Sequence, residues 1–198
     1  MSAVPLHENT VRVVILHGYQ GGPDAHWFGW LADDLRADGV QVVVPALPDP
    51  FDPDVATWTA AAAAAIDTPD ERTVIVGHSL GCVTALHALA ATPGGWRLGG
   101  LVLAAGFADP QPAVPEVDGF TTPAPDLDRV AAAALRRHVV GSDDDAVVDP
   151  ASTRALAERL GATFDVVPRG GHLLGADGFT TLPVVRDRVR AALGLQAR

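Results

Sequence analysis

The amino-acid sequence predicts an α/β protein: a six-stranded parallel sheet with helices on both faces, in one domain spanning residues 1–198. Three observations carry that prediction. Short runs of β-branched and aliphatic residues alternate with longer stretches of helical spacing, the pattern of repeated strand-to-helix crossovers. Glycine-rich loops follow the first, third and last runs, where a parallel sheet gathers its functional loops. No internal repeat or interdomain linker interrupts the chain, and its 198 residues are long for one small domain but short for two.

In order, Val11-Arg12-Val13-Val14-Ile15-Leu16 reads as a buried strand ending in the loop His17-Gly18-Tyr19-Gln20-Gly21-Gly22. His26 to Ala37 carries Trp27, Trp30, Leu31 and Leu35 at helical spacing, and Asp38-Gly39 closes that helix. Gln41-Val42-Val43-Val44 is a second strand, followed by the rigid Pro45-Ala46-Leu47-Pro48-Asp49-Pro50 and a helix over Asp54 to Ile66. Thr73-Val74-Ile75-Val76 is a third strand that breaks at Gly77, and Val83 to Ala91 is its helix. Gly100 to Ala105 is a fourth strand, and Phe107 to Pro125 is proline-rich without a period. A short alanine helix, Asp126 to Leu135, precedes a fifth strand around His138-Val139-Val140. Pro150 opens a helix at its favoured first position, Thr163 to Val167 is a sixth strand, and a last helix covers Leu182 to Leu193.

Composition narrows the class of function. With 14 basic and 24 acidic residues the net charge is −10, which opposes binding to nucleic acid or to anionic membrane surfaces. Every basic residue is arginine. The first ten residues show no basic segment followed by an apolar one, no run approaches the length of a membrane span, and the single cysteine, Cys82, suits a reducing compartment. The expectation is a cytoplasmic protein acting on a small molecule, with no nucleic-acid or membrane partner and no protein partner indicated.

The stretch around Gly77-His78-Ser79-Leu80-Gly81 organises the rest. A strand, a sharp turn and a helix with Gly-x-Ser-x-Gly on the turn presents one serine at its tip, and the flanking positions must lack Cβ atoms because strand and helix would collide with them. Ser79 is the candidate nucleophile; the plainer reading is a serine capping a helix. If the sheet is doubly wound in the order 2-1-3-4-5-6, a crevice opens beyond strands one and three, which brings the Tyr19 loop beside Ser79.

Acyl transfer by a serine needs a base, a carboxylate to orient it, and amides aimed at the developing oxyanion. Among the seven histidines, His7 precedes the fold, His87 lies within a helix, His138 starts a strand, His17 and His78 flank glycines and shape turns, and His26 caps or packs the first helix. His172 remains, after the last strand on Gly170-Gly171, as the base. The acid should lie between serine and histidine in chain order, and Asp143-Asp144-Asp145 is the acidic cluster at a strand end there. Asp145 opens Asp145-Ala146-Val147-Val148, which resembles the Asp-x-x-Val that carries the acid in many hydrolases of this fold, and is preferred to Asp144. A calcium loop is disfavoured, since Ala146-Val147-Val148 offers no side-chain oxygens; no metal or cofactor is called for. The backbone amides of Leu80 and Tyr19 are the oxyanion donors. Phe107, Phe120, Val147, Leu173 and Leu174 are candidate apolar walls.

The chain resembles the small serine hydrolases related to retinoblastoma-binding protein nine and the bacterial YdeN proteins, a branch of the α/β-hydrolase fold. His17-Gly18-Tyr19, His26-Trp27-Phe28-Gly29-Trp30, Leu47-Pro48-Asp49-Pro50, Gly77-His78-Ser79, Gly141-Ser142-Asp143-Asp144-Asp145 and Gly170-Gly171-His172 occur in that family's order and at about its spacing. The resemblance implies a Ser79, Asp145, His172 triad and carboxylesterase-like activity on small activated esters. It departs at Ala124-Pro125, where family members often carry a tryptophan. Larger relatives insert a helical cap in the interval from Phe107 to Leu135, which is too short here for a substantial one, so a shallow, open site is expected. The alternative from another class is a non-catalytic interaction protein on the same fold. A dinucleotide-binding domain is disfavoured, because Gly18-Tyr19-Gln20-Gly21-Gly22 lacks the Gly-x-Gly-x-x-Gly pattern and no acidic residue ends the second strand.

Overall fold

The structure, a computed structural model, describes residues 11–196; His7 and the N-terminal segment read above for a secretory signal lie outside the described residues. Six strands, β1 (Arg12–Leu16), β2 (Gln41–Val43), β3 (Thr73–His78), β4 (Gly100–Ala104), β5 (Arg137–Ser142) and β6 (Thr163–Val167), form one sheet in the order β2-β1-β3-β4-β5-β6. Every neighbouring pair is parallel. The helices are α1 (Phe28–Ala37), α2 (Val55–Ile66), α3 (Leu80–Ala91), α4 (Leu127–Ala133), α5 (Pro150–Leu160) and α6 (Pro183–Leu193).

The period of two along each strand decides which helices go where. On β1, Val14 and Leu16 face one way and join Ile75, Leu101, Leu103 and Val139 in a core completed by Trp58 of α2, Leu86 of α3, Val130 of α4 and Leu156 of α5. Val13 and Ile15 face the other way and join Val74, Val76, Val102 and Val140 against Phe28, Leu31 and Leu35 of α1 and Val185 and Val189 of α6. Because both faces are covered, the strands read as continuous apolar runs rather than alternating ones. Local chemistry sets the helix starts: Asp54, Asp126 and Asp149 each accept a backbone amide of the first turn of α2, α4 and α5. No helix among the described residues is long and apolar enough to cross a membrane.

Several boundaries differ from expectation, and each for a pairing or turn reason. β3 does not stop at Gly77, since His78 still pairs with Ala104 of β4, and α3 begins at once with Leu80. β5 extends to Ser142 because Gly141 and Ser142 pair with Val166 and Val167. His26 has a left-handed backbone (φ 54°), so the first helix starts at Phe28 and His26 neither opens nor caps it. The stretch after β4 that showed no period contains a short 3₁₀ helix, Pro115–Phe120, opened by its proline.

Candidate active site

Ser79 sits between the last residue of β3 and the first of α3 with φ 53° and ψ −124°, a conformation few non-glycine residues adopt and one that costs on the order of 1–3 kcal/mol. The turn is possible because its flanks are bare. A Cβ on Gly77 would stand 2.8 Å from Cα of Cys82, and one on Gly81 would stand 2.3 Å from the carbonyl oxygen of Leu16. The two glycines therefore let strand, helix and the neighbouring β1 loop close on the serine. The Ser79 amide donates to Ala104 O on β4, which ties the turn to the sheet.

The imidazole of His172 spans the gap from Ser79 to Asp145. Its Nε2 lies 2.9 Å from Ser79 Oγ and its Nδ1 lies 2.7 Å from Asp145 Oδ2. Asp145 Oδ1 accepts the amides of Val147 (2.8 Å) and Val148 (3.0 Å), so both oxygens of this buried carboxylate are engaged. Since a carboxylate only accepts, the Nδ1 proton points at it and Nε2 offers its lone pair to the serine hydroxyl.

The neighbouring aspartates do something else. Asp144 Oδ1 accepts the Ser142 hydroxyl and the Gly171 amide, and these bonds hold its carboxyl below the usual aspartate range. Asp143 Oδ1 accepts the Arg169 amide, and Ser142 Oγ accepts the Gly170 amide. Successive residues at the end of β5 thus grip successive amides of the loop that carries His172. From the other end, Asp177 Oδ2 accepts the amides of His172 and Leu174. Asp177 was missed in the sequence; its only signal there is a carboxylate five residues past the histidine on a glycine-rich loop.

A cavity of about 360 Å³ opens at Ser79. Of the residues named from the sequence, Tyr19, Leu80, Phe107, Val147 and Leu174 lie along it. Leu80 heads α3, so its amide has no acceptor within the helix. Two of the expected wall residues do not line it. Phe120 packs edge-on against Trp58 in the core, where its carbonyl also accepts His87 Nε2–H. Leu173, left-handed at φ 58°, turns away from its neighbours into the core beside α1 and α6. Gly18, His78 and His172 also line it, with Gln20, His26, Ala113, Val114, Glu116 and Val117. The last four come from the segment after β4, which with Phe107 builds one wall of the cavity. Their lack of any helical period hid them in the sequence.

The other histidines among the described residues are structural or supporting. His17 Nδ1–H donates to Gly18 O while Nε2 accepts the Leu47 amide, binding the loops after β1 and β2 together. His26 Nδ1 accepts the Gly175 amide. Burial pushes the His17, His26, His78 and His138 imidazoles below the ordinary histidine value, and His78 furthest. The unfolded chain therefore binds protons on these rings more readily than the folded one, so stability is full above the ordinary value near 6.5 and is lost as pH falls towards the folded-state values. A single ring such as the fully buried His78 steepens that loss by at most about 1.4 kcal/mol per pH unit. Melting temperature is expected to fall by several degrees from about pH 7 to pH 5, above the range where most carboxylates titrate. Equal melting temperatures at the two values would mean that these rings charge freely in the fold.

Comparison with known proteins agrees with this architecture. The family model described as Serine hydrolase matches residues 13–191. The chain is 35% identical to YdeN of Bacillus subtilis (strain 168) over 189 residues, 96% of this chain and 100% of that protein. It is 25% identical to the serine hydrolase RBBP9 of Rattus norvegicus over 185 residues, 92% of this chain and 97% of that one. The crystal structure of the ydeN gene product from B. subtilis superposes with a TM-score of 0.90 at 36% identity, covering 93% of this chain and 100% of the other. Est1E from Butyrivibrio proteoclasticus, at 13% identity and a TM-score of 0.70 over 95% of this chain and 90% of its own, shares the fold. With a six-stranded parallel sheet, a serine on the turn after β3 and a family match over nearly its whole length, this chain belongs to the serine hydrolase family of α/β-hydrolase fold.

Proposed function

We propose that the protein is a carboxylesterase-like hydrolase of small esters that works through an acyl-enzyme on Ser79. The observation that carries this reading is the unbroken line of hydrogen bonds Asp145–His172–Ser79, at 2.7 and 2.9 Å. His172 Nε2 takes the hydroxyl proton as Ser79 Oγ attacks the ester carbonyl, and Asp145 stabilises the imidazolium that forms. The amides of Leu80 and Tyr19 receive the oxyanion. His172 then returns the proton to the departing alcohol oxygen, and water repeats the cycle from the other side to release the carboxylic acid. One buried, unreactive thiol, Cys82, whose ionisation burial suppresses, is compatible with a cytoplasmic setting.

The cavity supports a small substrate. At about 360 Å³ it lies near the lower end of the range for ligand sites. Phe107, Val114, Val117, Val147 and Leu174 supply apolar surface for an acyl group. Glu116 is the acidic residue of the wall among the described residues, so anionic acyl groups are disfavoured. A series of p-nitrophenyl esters of increasing acyl length tests the reading: kcat/KM should peak at short chains and fall once the acyl group outgrows the cavity. A steady rise to long chains would overturn it, and thioester or amide turnover exceeding ester turnover would reassign the substrate class.

A further inference from the structure

We propose that His78 is a positioning residue for this reaction, holding the main-chain carbonyl of His172 through its Nε2–H and thereby fixing the distance from the imidazole to Ser79. The inference rests on the serine-hydrolase reading of the site and extends it to a residue that lines the cavity but acts through the His172 carbonyl rather than on the reacting atoms.

The need for such a residue follows from topology. His172 belongs to the loop after β6, at the edge of the sheet, while Ser79 follows β3, with β4 and β5 lying between. The loop must reach back across two strand ends, and Gly170 and Gly171 give it backbone freedom that would let the imidazole drift. That freedom is removed by side chains taking its backbone polar groups one after another. Asp143, Ser142 and Asp144 take the amides of Arg169, Gly170 and Gly171, and Asp177 takes those of His172 and Leu174. Trp27 Nε1–H donates to Leu173 O at 3.2 Å, and His26 Nδ1 accepts the Gly175 amide at 3.0 Å.

The bond from His78 differs from all of these in where it starts. His78 Nε2 lies 2.9 Å from His172 O, and His78 is the residue directly before Ser79 on β3. It therefore ties the peptide of the base to the strand that carries the nucleophile, without passing through β4, β5 and β6. Small errors in the packing of those strands do not reach the distance that matters.

The chemistry of the ring indicates that this bond is why a histidine stands there. His78 is buried among the rings of His26, Trp27, Phe28 and His172, an environment that a phenylalanine would fill. Its Nδ1 has no hydrogen-bond partner among the described residues although it is buried, a cost that packing alone gives no reason to bear. A carbonyl oxygen can only accept, so Nε2 must carry the proton, and a neutral ring then leaves Nδ1 bare. Burial and the adjacent His172 ring hold His78 neutral, so it adds no positive charge beside the imidazolium formed during turnover.

Three substitutions test the proposal. Glutamine at 78 places an amide N–H near the position of Nε2, phenylalanine keeps the bulk without a donor, and asparagine carries a donor that falls short. His78→Phe and His78→Asn are expected to lower kcat by about 10- to 100-fold, with KM changed by less than about twofold. His78→Gln should keep kcat within about threefold of the unsubstituted protein. The downfield proton resonance of His172 Nδ1–H should persist in His78→Gln and broaden in His78→Asn. A folded His78→Phe or His78→Asn protein with full kcat, or a His78→Gln protein as impaired as His78→Asn, would overturn the proposal. If the unsubstituted protein turned over no ester, the esterase reading would fall, and the resonance in the variants would still decide whether His78 positions His172.

Discussion

Replacing Ser79 with alanine will lower kcat for ester hydrolysis by roughly a millionfold and abolish labelling by a fluorophosphonate probe. The size of the effect follows from the role proposed for the serine: without Oγ no acyl-enzyme could form, and only the proposed oxyanion amides and substrate binding would remain to act on the uncatalysed reaction. KM should change little, because the cavity walls and both amide donors stay in place. The fold should survive, since Ser79 Oγ has His172 as its only hydrogen-bond partner among the described residues. Stoichiometric probe labelling retained in Ser79→Ala, with the melting temperature unchanged, would place the nucleophile elsewhere. Loss of labelling would at the same time separate an enzyme from an interaction protein that keeps this fold.

Asp145→Asn is expected to cost about ten-thousandfold in kcat, far more than the same change at Asp143 or Asp144. The geometry specifies how. The amides of Val147 and Val148 require an acceptor at the position of Oδ1, so the asparagine oxygen is held there and its NH2 faces His172 Nδ1. That nitrogen must then accept, the ring proton moves to Nε2, and Nε2–H confronts the Ser79 hydroxyl it should deprotonate. At Asp144 and Asp143 the bonds to Gly171 and Arg169 need only a carbonyl-type oxygen, which asparagine retains. Those two variants should lose less than about tenfold. Steady-state kinetics on the three asparagine variants decides the assignment, and an Asp144→Asn protein as damaged as Asp145→Asn would move the acid to residue 144.

The division of labour within Asp143-Asp144-Asp145 shows where sequence reasoning stops. All three carboxylates stand at one strand end, and their side chains alternate only in the crudest sense once the strand has given way to a turn. Which oxygen meets an imidazole and which meets an amide depends on the path of the Arg169–Asp177 loop, whose course is set by partners on β3, β5 and the turn before α1. The same limit explains Phe120 and Leu173. Both are apolar residues next to functional segments, and either a cavity wall or a core position satisfies their chemistry. A 3₁₀ turn sends Phe120 against Trp58, and a left-handed backbone turns Leu173 inward while its neighbours His172 and Leu174 line the cavity.

Strands, sheet type, the sharp serine turn and the glycines that permit it were legible in the sequence, because each depends on residues close in the chain: β-branched runs, helical spacing, and the absence of a Cβ at Gly77 and Gly81. The wall formed by Ala113, Val114, Glu116 and Val117, the clamps from His26, Trp27, His78 and Asp177, and the separate hydrogen-bond partners of the three aspartates appear only in the tertiary structure. They depend on pairings between segments far apart in sequence, where the direction of a side chain follows from packing and hydrogen-bond satisfaction across the sheet rather than from any local preference of the residue itself.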